Sequence, residues 1–198
     1  MNKSINELII KHWAKAGALI SIFIIAYIYF IQKNQLPLLE KFILLNLAFL
    51  MLHQFEEYVY PGGFKDYFNY NIYNPMGFFR NRLTDKGIIY VNVVLGWGMN
   101  IIVFIFLRDY PAAVLIAVTI LLFNGLLHLI TAFSKQSYNP GVITGAVLFI
   151  LLGFYSYYKL SSVNILNTKI IIAVIAVSVL ASFLIPITIY LTRPASRH

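Results

Sequence analysis

Six stretches of this chain each hold about twenty mostly apolar residues, enough to cross roughly 30 Å of hydrocarbon as a helix. In that solvent each helix satisfies its own backbone polar groups, so runs of this length read as membrane-spanning helices. They fall at about 16–32, 38–60, 87–107, 111–133, 139–158 and 168–191, with ends uncertain by several residues. A composition of 60% hydrophobic residues against 11% charged, with a mean hydropathy of +0.78, agrees. The expected architecture is all-α, a polytopic helical membrane bundle of about six transmembrane helices forming a single membrane-embedded domain over residues 1–198.

Punctuation along the chain supports these spans. Pro37, Pro111 and Pro140 stand near helix starts, where a missing N–H costs little. Pro186 falls inside the sixth span and is expected to kink it. The first span follows a basic lead with Lys3, Lys11 and Lys15. No small-residue cleavage site follows it, and Tyr27, Tyr29 and Phe30 are poor neighbours for one, so it reads as an uncleaved anchor. No internal repeat or low-complexity tract is evident.

The net charge of +8 does not indicate nucleic acid, because the Lys and Arg residues are scattered between apolar spans. Counted on alternate sides, ten (Lys3, Lys11, Lys15, Lys65, Arg80, Arg82, Lys86, Lys135, Arg193, Arg197) stand against five (Lys33, Lys41, Arg108, Lys159, Lys169). The positive-inside rule then places both termini in the cytoplasm of a bacterial-type inner or plasma membrane. The lipid bilayer is the expected partner, with a lipid or amphiphile as the substrate class. Cysteine is absent, so any metal must be held by histidine, carboxylate or amide groups.

Against this apolar background the run His53-Gln54-Phe55-Glu56-Glu57 at the end of the second span is expensive, and it marks a site. At 100° per residue Asn46, His53 and Glu57 share about 40° of arc, with Glu56 on the flank. On the fourth span Asn124, His128 and Thr131 share a stripe at i, i+4 and i+7. Alternating topology brings both stripes, Asn92 and the turn Tyr138-Asn139-Pro140-Gly141 to one depth. Gly96, Gly98, Gly141 and Gly145 offer close helix approach, the last two at small-xxx-small spacing.

These motifs carry a resemblance. His53-x-x-Glu56-Glu57, then Pro61-Gly62-Gly63-Phe64, Asn124-x-x-x-His128 and Tyr138-Asn139-Pro140-Gly141 resemble, over roughly residues 45–155, the membrane-protein family named for its HXXEE motif. The resemblance implies a multi-helix membrane protein whose His, Glu and Asn residues form an active site, and it singles out His53, Glu56, Glu57, Asn124, His128 and Tyr138. It supplies no substrate.

From the residues themselves, His53 and Glu57 at i and i+4 can chelate a divalent ion, zinc first, with His128 as third ligand and one position left open. Glu56 is then a candidate general base, Asn124 a group that polarises a carbonyl or orients water, and Tyr138 an oxyanion donor. A metal-free His/Glu acid–base pair is the alternative. Zincins are excluded because position 54 is Gln and position 57 Glu. Di-iron bundles need more carboxylates, membrane desaturases more than the four histidines present, and no Gly-x-Ser-x-Gly occurs. Other functions stay open: a small transporter or proton-linked carrier using the same residues, or a non-catalytic cofactor protein with His53 and His128 as axial haem ligands.

Plainer roles stand beside these. The His53/Glu56/Glu57 group would serve as a headgroup-facing cluster, Asn124 and His128 as interhelical hydrogen-bond glue, and the Tyr138 turn as a helix start. Asn92 and Asn100 read as packing, and His12 and His198 as solvated bystanders. Residues 58–86 form an aromatic-rich interfacial loop or lid, with Tyr58, Tyr60, Phe64, Tyr67, Phe68, Tyr70, Tyr73, Phe78 and Phe79 among Lys65, Arg80 and Arg82.

Overall fold

The structure is a computed structural model that describes residues 3–31, 35–72 and 82–194. Among these residues there is no strand, and six helices are long and apolar enough to cross a membrane. We label them α1 (Glu7–Phe30), α2 (Leu38–Tyr58), α3 (Asp85–Leu107), α4 (Pro111–Lys135), α5 (Val142–Ser162) and α6 (Thr168–Leu191). Their lengths and apolarity are those of an integral membrane protein.

The boundaries follow local chemistry. Pro37 is the N-cap of α2 and Pro111 lies in the first turn of α4. Thr84 caps α3 by accepting from the Gly87 N–H at 3.0 Å, and Asn167 caps α6 by accepting from Ile170 at 3.0 Å. α2 ends at Tyr58, two residues short of expectation, as the chain enters Tyr60-Pro61-Gly62-Gly63. α5 starts at Val142 rather than 139 because Gly141 has φ +99°, outside the helical region. α6 breaks at Phe183, three residues before Pro186, whose ring and missing N–H interrupt the hydrogen-bond ladder there.

α2 and α4 are the central pair. Half of the most apolar window of each is buried, against 11% for α6. α2 packs on α1, α3, α4 and α5, while α4 also packs on α5 and α6. At one end of the bundle Phe42, Ile43, Val114, Leu115, Val118, Leu152 and Val174 close an apolar core. Between α4 and α5 the backbones nearly touch. A Cβ on Gly125 would lie 2.7 Å from the Gly145 carbonyl oxygen, and one on Gly145 3.2 Å from the Gly125 α-carbon, so Gly125 has no room for a side chain and Gly145 very little. Gly145 was expected to permit close approach; its partner Gly125 was not.

Part of the 58–86 segment is helical. Phe64–Asn71 forms a short turn of helix, and Asn69 clamps it to the start of α3 by accepting from the Leu83 N–H at 2.9 Å and donating to the Leu83 carbonyl at 3.0 Å. Phe64 meets Tyr58 edge to face and lies tilted against His128. Tyr73, Phe78, Phe79 and Arg80 lie outside the described residues, as do Lys33, Arg197 and His198.

Candidate functional site

The end of α2, the second half of α4 and the start of α5 meet at the end of the bundle away from the apolar core. His53, Gln54, Glu56, Glu57 and His128 are all buried there, none more than 5% exposed. Burying so many polar groups is tolerable only if each finds partners.

Glu56 and Glu57 point 100° apart on one helix turn and so meet different neighbours. Glu56 faces the start of α5. Its Oε1 accepts from the Tyr138 hydroxyl at 2.8 Å and the Ile143 N–H at 3.1 Å. Its Oε2 accepts from the Thr144 N–H at 2.7 Å and the Thr144 hydroxyl at 2.5 Å. Four donors are the full complement of an ionised carboxylate, placed where the exposed N–H groups of a helix N-terminus favour negative charge. Glu56 was expected as a base and Tyr138 as an oxyanion donor; here the two are bonded to each other. Burial, and then the Glu56 carboxylate, push the Tyr138 hydroxyl well above its ordinary pKa.

Glu57 faces α4 and meets both imidazoles. Its Oε1 lies 3.5 Å from His53 Nε2 and 3.4 Å from His128 Nε2. The two rings meet edge to face with centroids 4.8 Å apart. His53 is further flanked by Phe149, and His128 by Phe64.

The outer nitrogens of the two rings settle which way their protons point. Asn139 Nδ2 donates to the His128 backbone carbonyl at 3.2 Å, and a carbonyl can only accept, so the Asn139 amide has one orientation. Its Oδ1 therefore accepts from His128 Nδ1 at 3.2 Å. The Thr144 hydroxyl spends its proton on Glu56, so at 2.9 Å it accepts from His53 Nδ1. Both rings thus carry the proton on Nδ1. When neutral, each turns a bare Nε2 toward a carboxylate oxygen.

That convergence of lone pairs is repulsive unless something positive lies among them. The three ligand atoms lie within 4.8 Å of one another. Atoms about 2.0–2.1 Å from a tetrahedral zinc ion stand about 3.3–3.4 Å apart, close to the two contacts of Glu57. The buried group His53, Glu57 and His128 could hold a metal ion. Thr144 and Asn139 occupy the far nitrogens, the position at which metal-binding histidines elsewhere meet a carboxylate, a backbone carbonyl or water.

Asn124 approaches His53 Nε2 with its Nδ2 at 3.4 Å, so it borders the same space. The remaining expectations fare differently. Asn46 does share the interior face, but its Nδ2 donates to Asn100 Oδ1 at 2.9 Å, remote from the histidines. Thr131 turns its hydroxyl back to the Leu127 carbonyl of its own helix. Asn92 and Gln54 bond each other at 3.1 Å, and Gln54 also accepts from Trp97 Nε1 at 2.7 Å, so they form glue between α2 and α3. A haem between His53 and His128 has no room: rings in edge contact, both aimed at one carboxylate, leave no slot for a porphyrin.

Thr144 carries no expectation from the sequence, and Asn139 was expected as part of the Tyr138–Gly141 turn without a partner of its own. A signal for Thr144 existed, since it stands in the first turn of α5, where a hydroxyl reaches groups at the helix start. Gly141 is also more than a turn former. A Cβ there would lie 2.6 Å from His53 Cε1 and 2.8 Å from His128 Cε1, so its bare α-carbon makes the room for both rings.

Comparison with known proteins agrees with the motif geometry and adds no activity. No curated protein and no solved structure matches the chain. A family described as "Protein of unknown function with HXXEE motif" matches residues 44–156, which hold His53, Glu56, Glu57, Asn124, His128 and the Tyr138 turn. That match covers more than half of the 198 residues, running from within α2 to within α5, and the chain belongs to this HXXEE family.

Proposed function

We propose that this protein is a membrane-embedded hydrolase whose centre is a divalent cation, zinc first, held by His53 Nε2, His128 Nε2 and a Glu57 oxygen. The carrying observation is the pair of bare Nε2 atoms turned toward one buried carboxylate. One added proton on the rings would give the metal-free His/Glu pair, and two would leave a net positive charge in a membrane interior, which is costly. A cation with two neutral imidazoles and one carboxylate is the common donor set of hydrolytic zinc centres.

When bound, such an ion lowers the pKa of its water to about 7 and polarises a carbonyl. The residues of the chain then divide the remaining work. Thr144 and Asn139 keep both imidazoles in the ligating tautomer. Glu56 acts through Thr144 as a positioning residue, with both oxygens engaged. Asn124 borders the open side and is placed to hold a substrate oxygen. The excess of Lys and Arg on the side of the cluster favours a cytoplasmic site in a bacterial-type plasma membrane, with both termini on that side.

The test is metal content of the purified protein, by elemental analysis, beside His53→Ala and His128→Ala. About one ion per chain in wild type and loss in both variants is the expected result. Wild type without metal after purification free of chelators, and unable to take up zinc or manganese, would sink the reading. Loss in only one variant would refute a centre shared between α2 and α4.

A further inference from the structure

A cavity of about 910 Å³ lies between α3, α4 and α6, floored by α2. That is near the top of the roughly 300–1,000 Å³ range of small-molecule sites. Glu57, His128 and Asn124 contribute to its lining. Most of the rest is apolar, including Leu95, Leu126 and Phe183. Along α4 the lining runs from Ile120 to Thr131, about 16 Å at 1.5 Å per residue. About half of a hydrocarbon core of roughly 30 Å is one leaflet.

Two observations identify the occupant. The α6 wall is interrupted at Phe183, and Phe183 and Leu184 are 57% and 50% exposed, so this side of the cavity borders the bilayer. Water is a poor filler for apolar walls, and alkyl chains of one leaflet's length are at hand. The polar groups require that the occupant also carry a head group able to meet a cation. In a bilayer the tail gains little by moving from lipid into an equally apolar cavity. Its contribution is register, holding the reacting carbonyl at the depth of Glu57.

Resting on the metal-centre reading for its head group, we propose that the cavity binds a single-chain acyl ester drawn from one leaflet, its tail along Leu95 and Leu126 and its carbonyl at Glu57 and His128. In the reaction the oxygen of water bonds to the acyl carbon and the acyl–oxygen bond breaks. The leaving alcohol takes one proton of that water, and the fatty acid releases the other.

The test uses the full chain in lipid nanodiscs with a diazirine-bearing palmitate as photoprobe, labelled residues being mapped by mass spectrometry. Label is expected on the cavity wall around Leu95, Leu126 and Phe183. Leu95→Trp and Leu126→Trp should each cut it at least about tenfold while metal content stays at the wild-type level, which also shows that the variants fold. Label concentrated on the outward-facing Ile101, Phe106 and Ile130, or unchanged in both Trp variants, overturns the tail site. Hexadecanoyl hydroxamate should displace the probe from wild type and do so at least about tenfold less well from His128→Ala; equal displacement overturns the placement of the carbonyl. If wild type holds no metal yet the cavity labels as expected, the hydrolase reading and the head-group placement fail while the tail site stands.

Discussion

At one end of the bundle Phe42, Ile43, Val114, Leu115 and Val118 pack together with almost no exposure. At the other His53, Glu56, Glu57 and His128 are nearly as buried, yet they are held by hydrogen bonds and close His–Glu contacts. The first end is non-directional and tolerates any filling of the right volume. The second works only if each donor meets its own acceptor. Within it, Glu56 and Glu57 repeat the contrast on one helix turn. Glu56 is saturated by the backbone and hydroxyls of α5, while Glu57 meets only the Nε2 atoms of two imidazoles, which a proton or a metal ion could bridge to it. A carboxylate that is satisfied builds structure, and one that is not builds a site.

The largest effect on stability should come from the apolar end. Leu115→Ala removes a fully buried side chain and is expected to cost about 2–5 kcal/mol, read as a lowered midpoint of denaturation, with metal stoichiometry unchanged. Loss of metal without loss of stability would show that the two ends are not separate.

Glu56→Gln should come next, at about 1.5–3 kcal/mol, because an amide offers a donor where Thr144 already donates. This variant should also weaken metal binding, since the Thr144 hydroxyl is freed to donate to His53 Nδ1 and move its proton. Nitrogen-15 NMR of the imidazoles reads that tautomer, and an unchanged His53 spectrum would dissolve the chain from Glu56 to His53.

Gly141→Ala acts on the site with less effect on the fold. The added Cβ meets both imidazoles and sits on a residue with φ +99°, so metal affinity should fall about 10–100-fold while the chain still purifies as a folded bundle. Zinc titration by competition with a chromophoric chelator measures it, and wild-type affinity would refute the role given to the bare α-carbon.

Asn46→Ala should have the smallest consequence. Its bond to Asn100 is interhelical glue worth about 0.6 kcal/mol on average, and metal content should not change. If metal content does fall, the stripe of Asn46, His53 and Glu57 acts as one unit after all.

Much of the fold was legible in the chain because hydrocarbon is a strict solvent. Apolar length reports a spanning helix directly, and Pro37, Pro111 and Pro186 mark a cap, a start and a break by removing one N–H each. The clustering of His53, Glu57 and His128 was legible for a related reason: they are too costly in lipid to lack partners, and their spacing puts them on inward faces. Spacing along one helix says nothing about what stands opposite. Asn46 therefore read as one stripe with His53 and Glu57 although Asn100 takes it, and Glu56 read as a base although Thr144, Ile143 and Tyr138 surround it.

By itself, then, the sequence determined six apolar helices and the residues that must face inward, because solvent and helical period act on each segment alone. Only the tertiary structure decided which inward groups meet. The close contact of Gly125 with Gly145 sets α5 against α4, and Gly141 leaves room for two rings. Thr144 and Asn139 then turn both Nε2 atoms toward Glu57. Hydrogen bonds are directional and short, so their pairing depends on helix register and rotation, which no one segment carries.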